Sequence, residues 1–301
     1  MMSRFLRTLA AQTVHPAEIV IVDGSDDDRT AAVVSEAKQS WTATSVVWRY
    51  ERADRVGLAP QRNQAVAAAS QSFVWFLDDD VILEAECLER LHAVMAVDAS
   101  IGGATATITN QSYSAPGPWV RALMRWFEDG RVRDSYAAAC VGPGWTFLPD
   151  ASPHMAPVVP AGWLIGCCSM YRRAALPMPA VPEHFEGGAI GEDLAASLAV
   201  ARTHQLVHVR DARCFHDSQS GDHKRSQRRL AYQGFLNRYH IMTQVMGKRT
   251  ARDHFDFMLM FVFGLVSLLA RPSHWRVALL NALGYAQAVV RLAIGGTDSK
   301  C

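Results

Sequence analysis

The sequence predicts an α/β protein in which helices flank a mostly parallel, Rossmann-like sheet and an apolar helical tail follows. Short, fully apolar segments such as EIVIV at Glu18–Val22 and FVWFL at Phe73–Leu77 alternate with segments of helical periodicity. Runs of this length and composition are typical of strands covered on both faces, as in parallel βαβ units. Beyond Ser218 the chain becomes basic and then markedly apolar, which predicts the tail.

Composition excludes several classes of protein. The 301 residues are 50% hydrophobic and 20% charged, which excludes a wholly disordered chain and allows a large core. The formal net charge of +1 gives no support for a nucleic-acid partner, because such proteins usually carry a strong basic excess. No two of the six cysteines form a CxxC pair, so we expect reduced thiols in a cytosolic core. Met1–Gln12 lacks the apolar run of a secretory signal.

Helical and strand-like segments alternate over residues 1–109. In chain order, the predicted elements are a helix at Ser3–Gln12, a strand at Glu18–Val22, a helix at Arg29–Gln39, a strand at Ser45–Tyr50, a helix at Pro60–Ala69 and a strand at Phe73–Leu77. Ligands of such sheets bind at the carboxyl ends of the strands. The acidic clusters Asp23–Asp28 and Asp78–Asp80 each follow a strand, so we expect both clusters to reach the same crevice.

The middle of the chain has a different character. Residues 110–160 are rich in glycine, proline and aromatic side chains and show little periodicity, which predicts long loops that form a mobile cover over a site. Strand and helix signals return between Ala161 and Asp217, including a helix at Asp193–Arg202.

Three consecutive carboxylates follow a strand in FVWFLDDDVIL, Phe73–Leu83. Like charges repel, so these carboxylates must end in solvent or surround a cation such as Mg²⁺ or Mn²⁺. Oxygens of a substrate phosphate would complete the coordination shell of that cation. A solvated turn that caps a helix near Glu84 is the alternative. A strand followed by Asp-x-Asp also occurs in haloacid dehalogenase phosphatases, where Asp78 would be the nucleophile and Asp80 the acid/base. That class also carries a lysine after a downstream strand, and no lysine of this chain follows a convincing strand.

Several ordered motifs resemble those of family 2 glycosyltransferases, which have the GT-A fold. EIVIVDGSDDDRT at Glu18–Thr30 is similar to the family's EIIVVDDGSTDGT, and Gly57–Asp80 resembles its GxxxARNxGxxxAxGxxxxFLDDD block. WLIGCCSMYRRA at Trp163–Ala174 is similar to the acceptor-side segment, and Phe185–His216 resembles the segment that carries GED. The resemblance covers residues 1–239, and the order of the motifs makes it far more specific than any one of them.

The resemblance implies an enzyme that transfers a sugar from a nucleotide-diphosphate donor with the help of Mn²⁺ or Mg²⁺. Residues 1–109 would form the nucleotide-sugar-binding part of the GT-A domain and residues 110–240 its acceptor-binding and catalytic part. Asp23 would accept a hydrogen bond from the donor base, and Arg62 would face the nucleotide or its diphosphate. Asp78 and Asp79 would contact the ribose and support the metal site from its second coordination shell. Asp80 would bind the metal itself.

The second acidic site implied by the resemblance is Glu192-Asp193, at the start of a predicted helix and after Gly187, Gly188 and Gly191. In the family the aspartate of this pair deprotonates the acceptor hydroxyl, so Asp193 would be the base with Glu192 assisting. Attack opposite the leaving diphosphate inverts the anomeric centre. Acids stabilised by the helix dipole are the alternative.

Two further expectations concern the same site. His216 would complete the metal shell, although a lone histidine is more often structural. The usual first strand of the family, VSVVIPTYNR-like in sequence, is absent, and we expect the true start to lie upstream. The alternative is a non-catalytic nucleotide-sugar-binding or scaffold protein.

The tail, residues 241–301, contains two apolar segments. Phe257–Ala270 is an uninterrupted run of 14 residues, short of the roughly 20 that span a bilayer as a helix. Val277–Ile294 is longer and amphipathic. We predict a helical hairpin that docks the protein on the cytoplasmic face of the cell membrane, with a packed helical dimer interface as the alternative. Docking suits a lipid-linked or glycan acceptor in cell envelope polysaccharide assembly, which is implied by the resemblance.

Overall fold

Strands and helices alternate through the first third of the chain, as the sequence predicts. The computed structural model describes residues 1–42, 45–150, 152, 156–185, 190–218 and 226–295. The first elements are α1 (Met2–Ala10), β1 (Glu18–Asp23), α2 (Arg29–Ser40), β2 (Val47–Arg52), α3 (Leu58–Ala68), β3 (Phe73–Leu77), β4 (Val81–Leu83), α4 (Cys87–Val97) and β5 (Ile101–Ile108). The six elements predicted here are all present, and their ends differ from the predicted ones by no more than two residues.

The remaining elements complete the domain and add the tail. They are α5 (Pro118–Phe127), β6 (Cys140–Val141), β7 (Trp145–Thr146), β8 (Val158–Pro160), β9 (Cys168–Arg172), α6 (Glu192–Val200), β10 (Gln205–His216), α7 (Gln227–His240), α8 (Ala251–Leu269) and α9 (Trp275–Gly295). A π-helical turn, Ile241–Val245, continues α7.

The strands form one large sheet and a separate pair. The large sheet has the order β3-β9-β5-β10-β4, with β8 paired to β10. Because β9 is antiparallel to both β3 and β5, and β5 is parallel to β10, the main strands β3, β5 and β10 run in one direction. β1 and β2 form a parallel pair of their own. The predicted α/β class with a mostly parallel sheet is confirmed.

Helices cover both faces of the large sheet. One face packs against α1 and α4, with Leu6, Leu91 and Met95 fully buried, and the other packs against α3 and α6. The central strand β5 is buried at every position. Its Gly102 permits a close approach, since a Cβ added there would lie 2.4 Å from the Cβ of His204.

The predicted loop cover over residues 110–160 is wrong for its first part, because α5 lies there. Pro118 stands in the first turn of this helix, where a missing N–H is tolerated. Leu123, Met124 and Phe127 form its buried stripe and pack in the same cluster as Phe257 of α8. The helical spacing of these three apolar residues predicts a helix, whereas the overall composition of residues 110–160 predicts loops.

The tail forms the predicted helical hairpin. A capping box between Thr250 and Asp253 starts α8, and α9 returns across α7 with Ala278 and Ala288 buried. Among the described residues one helix, Trp275–Ile294, is long and apolar enough to cross a membrane by length and composition, with a mean hydropathy of 1.6. That criterion alone also fits the core helix of a soluble protein.

A cleft separates the strand pair β1–β2 from the large sheet. It has a volume of about 1460 Å³ and is lined along its length by β1 on one side and β3 on the other. We call it the β1–β3 cleft. Its end at the carboxyl termini of these strands holds the acidic residues described next.

Candidate active site

All the predicted site residues except Asp193 line the β1–β3 cleft, where they lie at its carboxyl end. Strand ends deliver the aspartates, α3 contributes Arg62, α6 begins with Glu192, and β10 ends with His216. The cleft is lined by Asp23, Arg62, Asp78, Asp79, Asp80, Glu192 and His216. Asp23 and Asp78–Asp80 therefore reach the same crevice, as predicted from their positions after β1 and β3.

Arg62 joins the two acidic parts of the site. Its guanidinium donates to Glu192 Oε1 and to Asp78 Oδ1, each at 2.8 Å, and to the Gly166 carbonyl at 3.1 Å. The residue is only 9% exposed and its guanidinium lies 5.5 Å from the centre of the Phe76 ring. Its N–H groups are thus engaged by protein acceptors, and its predicted contact with the nucleotide stays a prediction.

Asp78, Asp80 and His216 form a group that fits a divalent cation. One possible ligand atom from each lies within 4.8 Å of the others. His216 Nε2 is 3.2 Å from Asp80 Oδ1, yet this buried oxygen has no hydrogen-bond partner in the described part of the chain. A buried carboxylate oxygen without a donor is the atom that a cation would satisfy.

The electrostatics of this group favour positive charge, which at neutral pH is the proton on His216 and which a metal ion would replace. Hydrogen bonding to Cys167, with the nearby carboxylates of Asp80 and Asp78, raises the pKa of His216 to about 9. Burial and the like charges of Asp80 and Asp78 raise the pKa of Asp79. Positive charge among these groups relieves their mutual repulsion.

Glu192 and Asp193 lie at the first turn of α6. Gly191 precedes them in the left-handed conformation, with φ of 88°, while Gly187 and Gly188 lie outside the described residues. Burial and the neighbouring Asp193 raise the pKa of Glu192 to about 8, against the attraction of Arg62. Burial also raises the pKa of Asp193. A raised carboxyl pKa suits a group that must accept and release a proton near neutral pH.

The Asp193 carboxylate is held by backbone donors. Oδ2 accepts from the Gly166 N–H at 3.2 Å and Oδ1 from the Leu194 N–H at 2.7 Å. Gly166 permits this packing, because a Cβ added there would lie 3.0 Å from both Asp193 Cβ and Glu192 Oε1. The resemblance links residues 163–174 to the acceptor side, but the sequence did not single out Gly166. The available signal was a glycine that directly follows apolar residues.

Asp23 is held in place by its neighbours. Its carboxylate accepts from Tyr50 Oη at 2.5 Å, from Arg52 Nη1 at 3.0 Å and from the Ser25 N–H at 2.9 Å. Burial raises its pKa, but these hydrogen bonds outweigh burial and hold the pKa below its usual value. Tyr50 and Arg52 were not predicted as site residues, although the end of β2 lies at the same edge as the end of β1.

Solved structures share this architecture. The mannosyltransferase PcManGT from Pyrobaculum calidifontis, in complex with GDP-Man and Mn²⁺, is 14% identical with a TM-score of 0.52, and the match covers 99% of this chain and 84% of that one. S. aureus TarS is 17% identical with a TM-score of 0.50 over 81% of this chain and 38% of TarS, so the chain spans well under half the length of TarS. Identities this low show the fold alone, which is that of the GT-A class of glycosyltransferases.

The family model described as glycosyl transferase family 2 matches residues 1–177, more than half of the chain. The chain therefore belongs to glycosyltransferase family 2. Comparison with curated protein sequences gives no significant match. Membership of this family leaves no support for the phosphatase interpretation of Asp78.

We predict that Arg62→Met destabilises the protein by about 3–5 kcal/mol, because it leaves Glu192 and Asp78 without their buried cation. Urea unfolding measures this change. The double variant Arg62→Met/Glu192→Gln should recover part of the loss, since one uncompensated charge is removed. Arg55→Met, which breaks the exposed pair with Glu183, is the control and should cost less than about 1 kcal/mol. Equal losses from Arg62→Met and Arg55→Met would contradict the role given to Arg62.

We predict that Asp80→Asn weakens Mn²⁺ binding by at least about tenfold, because the amide removes an anionic ligand. Isothermal titration with Mn²⁺ in the presence of a nucleoside diphosphate measures the affinity. Asp211→Asn is the same substitution at an exposed position of β10 and should leave the affinity unchanged. An Asp80→Asn variant with the wild-type affinity would place the metal elsewhere.

Proposed function

We propose that the protein transfers a sugar from a nucleotide-diphosphate donor to a hydroxyl group of a glycan or lipid-linked acceptor, with inversion at the anomeric carbon. The observation that carries this proposal is the convergence of the Asp78–Asp80–His216 group and Glu192 at one end of the cleft, with Asp193 next to Glu192 in the first turn of α6, in a family 2 chain. The GDP-Man and Mn²⁺ bound to PcManGT support a nucleotide-sugar donor and a metal.

Asp80, His216 and Asp78 would hold the metal. When bound, such an ion neutralises charge that develops on the departing diphosphate. Carboxylates suit both Mg²⁺ and Mn²⁺, whereas imidazole is a ligand typical of transition metals. His216 in the group therefore favours Mn²⁺ over Mg²⁺.

The donor would lie along the carboxyl ends of β1 and β3. Asp23, fixed by Tyr50 and Arg52, would accept a hydrogen bond from the base, and Asp78 and Asp79 would lie beside the ribose. Arg62 positions Asp78 and Glu192 relative to each other, because it donates to both. The helix and strand ends thus hold the polar groups before the donor enters, which reduces the cost of ordering them.

Asp193 would act as the base. A carboxylate oriented by the Gly166 and Leu194 N–H groups removes the proton from the acceptor hydroxyl as that oxygen attacks the anomeric carbon. The bond between the anomeric carbon and the diphosphate oxygen breaks on the opposite side, so the configuration inverts. Glu192, paired with Arg62, would assist by holding the first turn of α6 in place.

The tail would dock on the cytoplasmic face of the cell membrane. Exposed apolar side chains at Met258, Val262, Val266 and Leu269 follow one another along a single face of α8. On α9 the exposed apolar side chains include Trp275, Leu279, Leu283 and Val290. The arginines Arg271, Arg276 and Arg291 would meet anionic headgroups.

A non-catalytic nucleotide-sugar-binding or scaffold role is the second candidate. The observation that favours it is that Asp193, the base of the transfer mechanism, is not among the residues that line the cleft. Donor binding without turnover, measured on the same preparation, would support this role over transfer.

We predict that Asp193→Asn lowers the turnover of sugar transfer by about 10²–10⁴-fold, because it removes the general base. Donor binding should survive, since Asp193 is not among the residues that line the cleft. The thermal shift caused by a nucleoside diphosphate with Mn²⁺ measures that binding; a ligand at 100 times its dissociation constant adds about 2.7 kcal/mol. The anomer released, read by NMR, reports inversion. Unchanged turnover in Asp193→Asn would remove the base from this position.

We predict that the protein sediments with vesicles that contain anionic lipid and that Val262→Gln/Val266→Gln reduces the bound fraction several-fold, because each change removes exposed apolar area that lipid would bury. The matched control is Val56→Gln/Val132→Gln, at exposed valines outside the tail. The opposite result would be a protein that stays in the supernatant and forms a dimer. If the double variant Val262→Gln/Val266→Gln is then a monomer, the tail is a helical dimer interface.

A further inference from the structure

Arg238 of α7 is an arginine for which the described part of the protein provides no acceptor. Its side chain is partly buried, yet among the described residues its guanidinium donates no hydrogen bond and forms no ion pair. Arg62, by contrast, donates to two carboxylates and a carbonyl. A guanidinium carries five N–H donors, and burying donors without acceptors is costly. An arginine in this situation is suited to bind an anion.

The electrostatics of the two arginines differ in the same sense. Burial lowers the pKa of an arginine, because it disfavours the charged form. At Arg62 the neighbouring carboxylates outweigh burial, and the pKa lies above its usual value. At Arg238 burial outweighs the surrounding groups, and the pKa lies below its usual value. The positive charge of Arg238 is therefore incompletely compensated within the protein.

The guanidinium of Arg238 lies at the turn between β6 and β7. Gly144 in this turn has a φ of 100°, and a Cβ added there would lie 3.5 Å from Arg238 Nη1. A residue with a side chain would be strained in this conformation and would fill space next to the guanidinium. With glycine at this position, the turn leaves that space open.

A second cation lies at the same turn. Lys248 Nζ donates to the Gly142 carbonyl at 2.7 Å and has no carboxylate within 4 Å in the described part of the chain. Burial raises the pKa of Cys140, the first residue of β6, to about 11, and the charges of Arg238 and Lys248 act against this rise. Both charges therefore lie close to Cys140 and make the turn electropositive.

Arg238 is also close to both the proposed base and the tail. Its charge acts on Asp193, which it stabilises in the ionised form, and on Tyr285 of α9. The ring of Tyr285 is fixed by Phe235 and Phe261, with ring centres 5.6 Å and 4.8 Å away. An anion bound to Arg238 would therefore lie near the acceptor hydroxyl and near the apolar helices of the tail.

We propose that Arg238 and Lys248 bind a phosphate group of the acceptor, beside the hydroxyl that attacks the donor. This inference rests on the proposed function and narrows the acceptor to molecules that carry phosphate. Two cations match a phosphate monoester, which has a charge of about −1.5 to −2 at neutral pH, better than they match a single carboxylate. A guanidinium forms paired hydrogen bonds with phosphate oxygens, and a lysine adds a point charge.

The bound phosphate would anchor the acceptor and take no part in bond making. Holding the acceptor at a second point restricts the hydroxyl to orientations in which Asp193 can remove its proton. The phosphate can come from a soluble sugar phosphate or from a lipid phosphate. The nearby tail helices, with their exposed apolar side chains, would suit the second source.

The experiment measures binding of octyl phosphate, below its micelle concentration, by isothermal titration in EDTA. No metal is then present to hold phosphate at the aspartates of the cleft. Arg238→Gln should weaken binding by at least about tenfold, because a charge-assisted pair of hydrogen bonds is lost. Arg229→Gln, the same substitution at an exposed position of α7, is the control and should leave binding unchanged.

The stability of Arg238→Gln separates a binding role from a structural one. The substitution removes an uncompensated charge and no protein hydrogen bond, so Tm should equal or exceed that of the wild type. A variant that has lost binding and has a Tm several degrees lower would show that Arg238 supports the fold, which would overturn the proposal. Binding and Tm need no donor, so both stand even if the protein transfers no sugar.

Octanol, octanoate and inorganic phosphate identify the chemistry that is bound. Octanol should not bind, and octanoate should bind more weakly than octyl phosphate. Inorganic phosphate that binds as tightly as octyl phosphate would support a soluble phosphate-bearing acceptor, and weaker binding of inorganic phosphate would support a lipid phosphate. Equal binding of octanoate and octyl phosphate, or octyl phosphate binding that is unchanged in Arg238→Gln, would overturn the proposal.

Discussion

The buried guanidinium of Arg62 is the interaction on which the site depends. Asp78, Glu192 and Asp193 bring three acidic groups into a poorly solvated region, and Arg62 is the cation that contacts two of them. Without it the end of β3 and the first turn of α6 would repel each other, since an unpaired buried charge costs several kcal/mol. The same guanidinium also bonds the Gly166 carbonyl, so that one side chain fixes three separate segments.

Much of this site could be predicted from the sequence because it follows from strand ends. Parallel strands deliver the residues that follow them to one edge, which is why Asp23, Asp78 and Asp80 were placed in one crevice. The partner of Arg62 could not be predicted in this way. Glu192 lies 130 residues further along the chain, and only the placement of α3 and α6 on the same face of the large sheet brings the pair together. Tyr50 and Arg52 were missed because their role depends on the register of β2 against β1.

The fold shows the same division between local and tertiary information. Apolar runs and helical periodicity identified every element up to β3, because each is defined by its own sequence. Helix α5 was missed because glycine, proline and aromatic residues dominate its surroundings, while only Leu123, Met124 and Phe127 carry its periodicity. Its stability comes from α8, where Asp256 accepts from Trp126 Nε1 at 2.8 Å. That contact spans 130 residues and has no local signature.

The cleft and the tail both leave apolar surface uncovered, but the two surfaces differ in kind. Helices α8 and α9 satisfy their own backbone hydrogen bonds, so their exposed apolar faces would need only a medium less polar than water. Lipid supplies such a medium, and so does another helix. The β1–β3 cleft is bounded by strands, and the edge of a strand presents backbone N–H and C=O groups beside its apolar side chains. A group that lies against such an edge must therefore offer hydrogen-bonding partners as well as apolar contact.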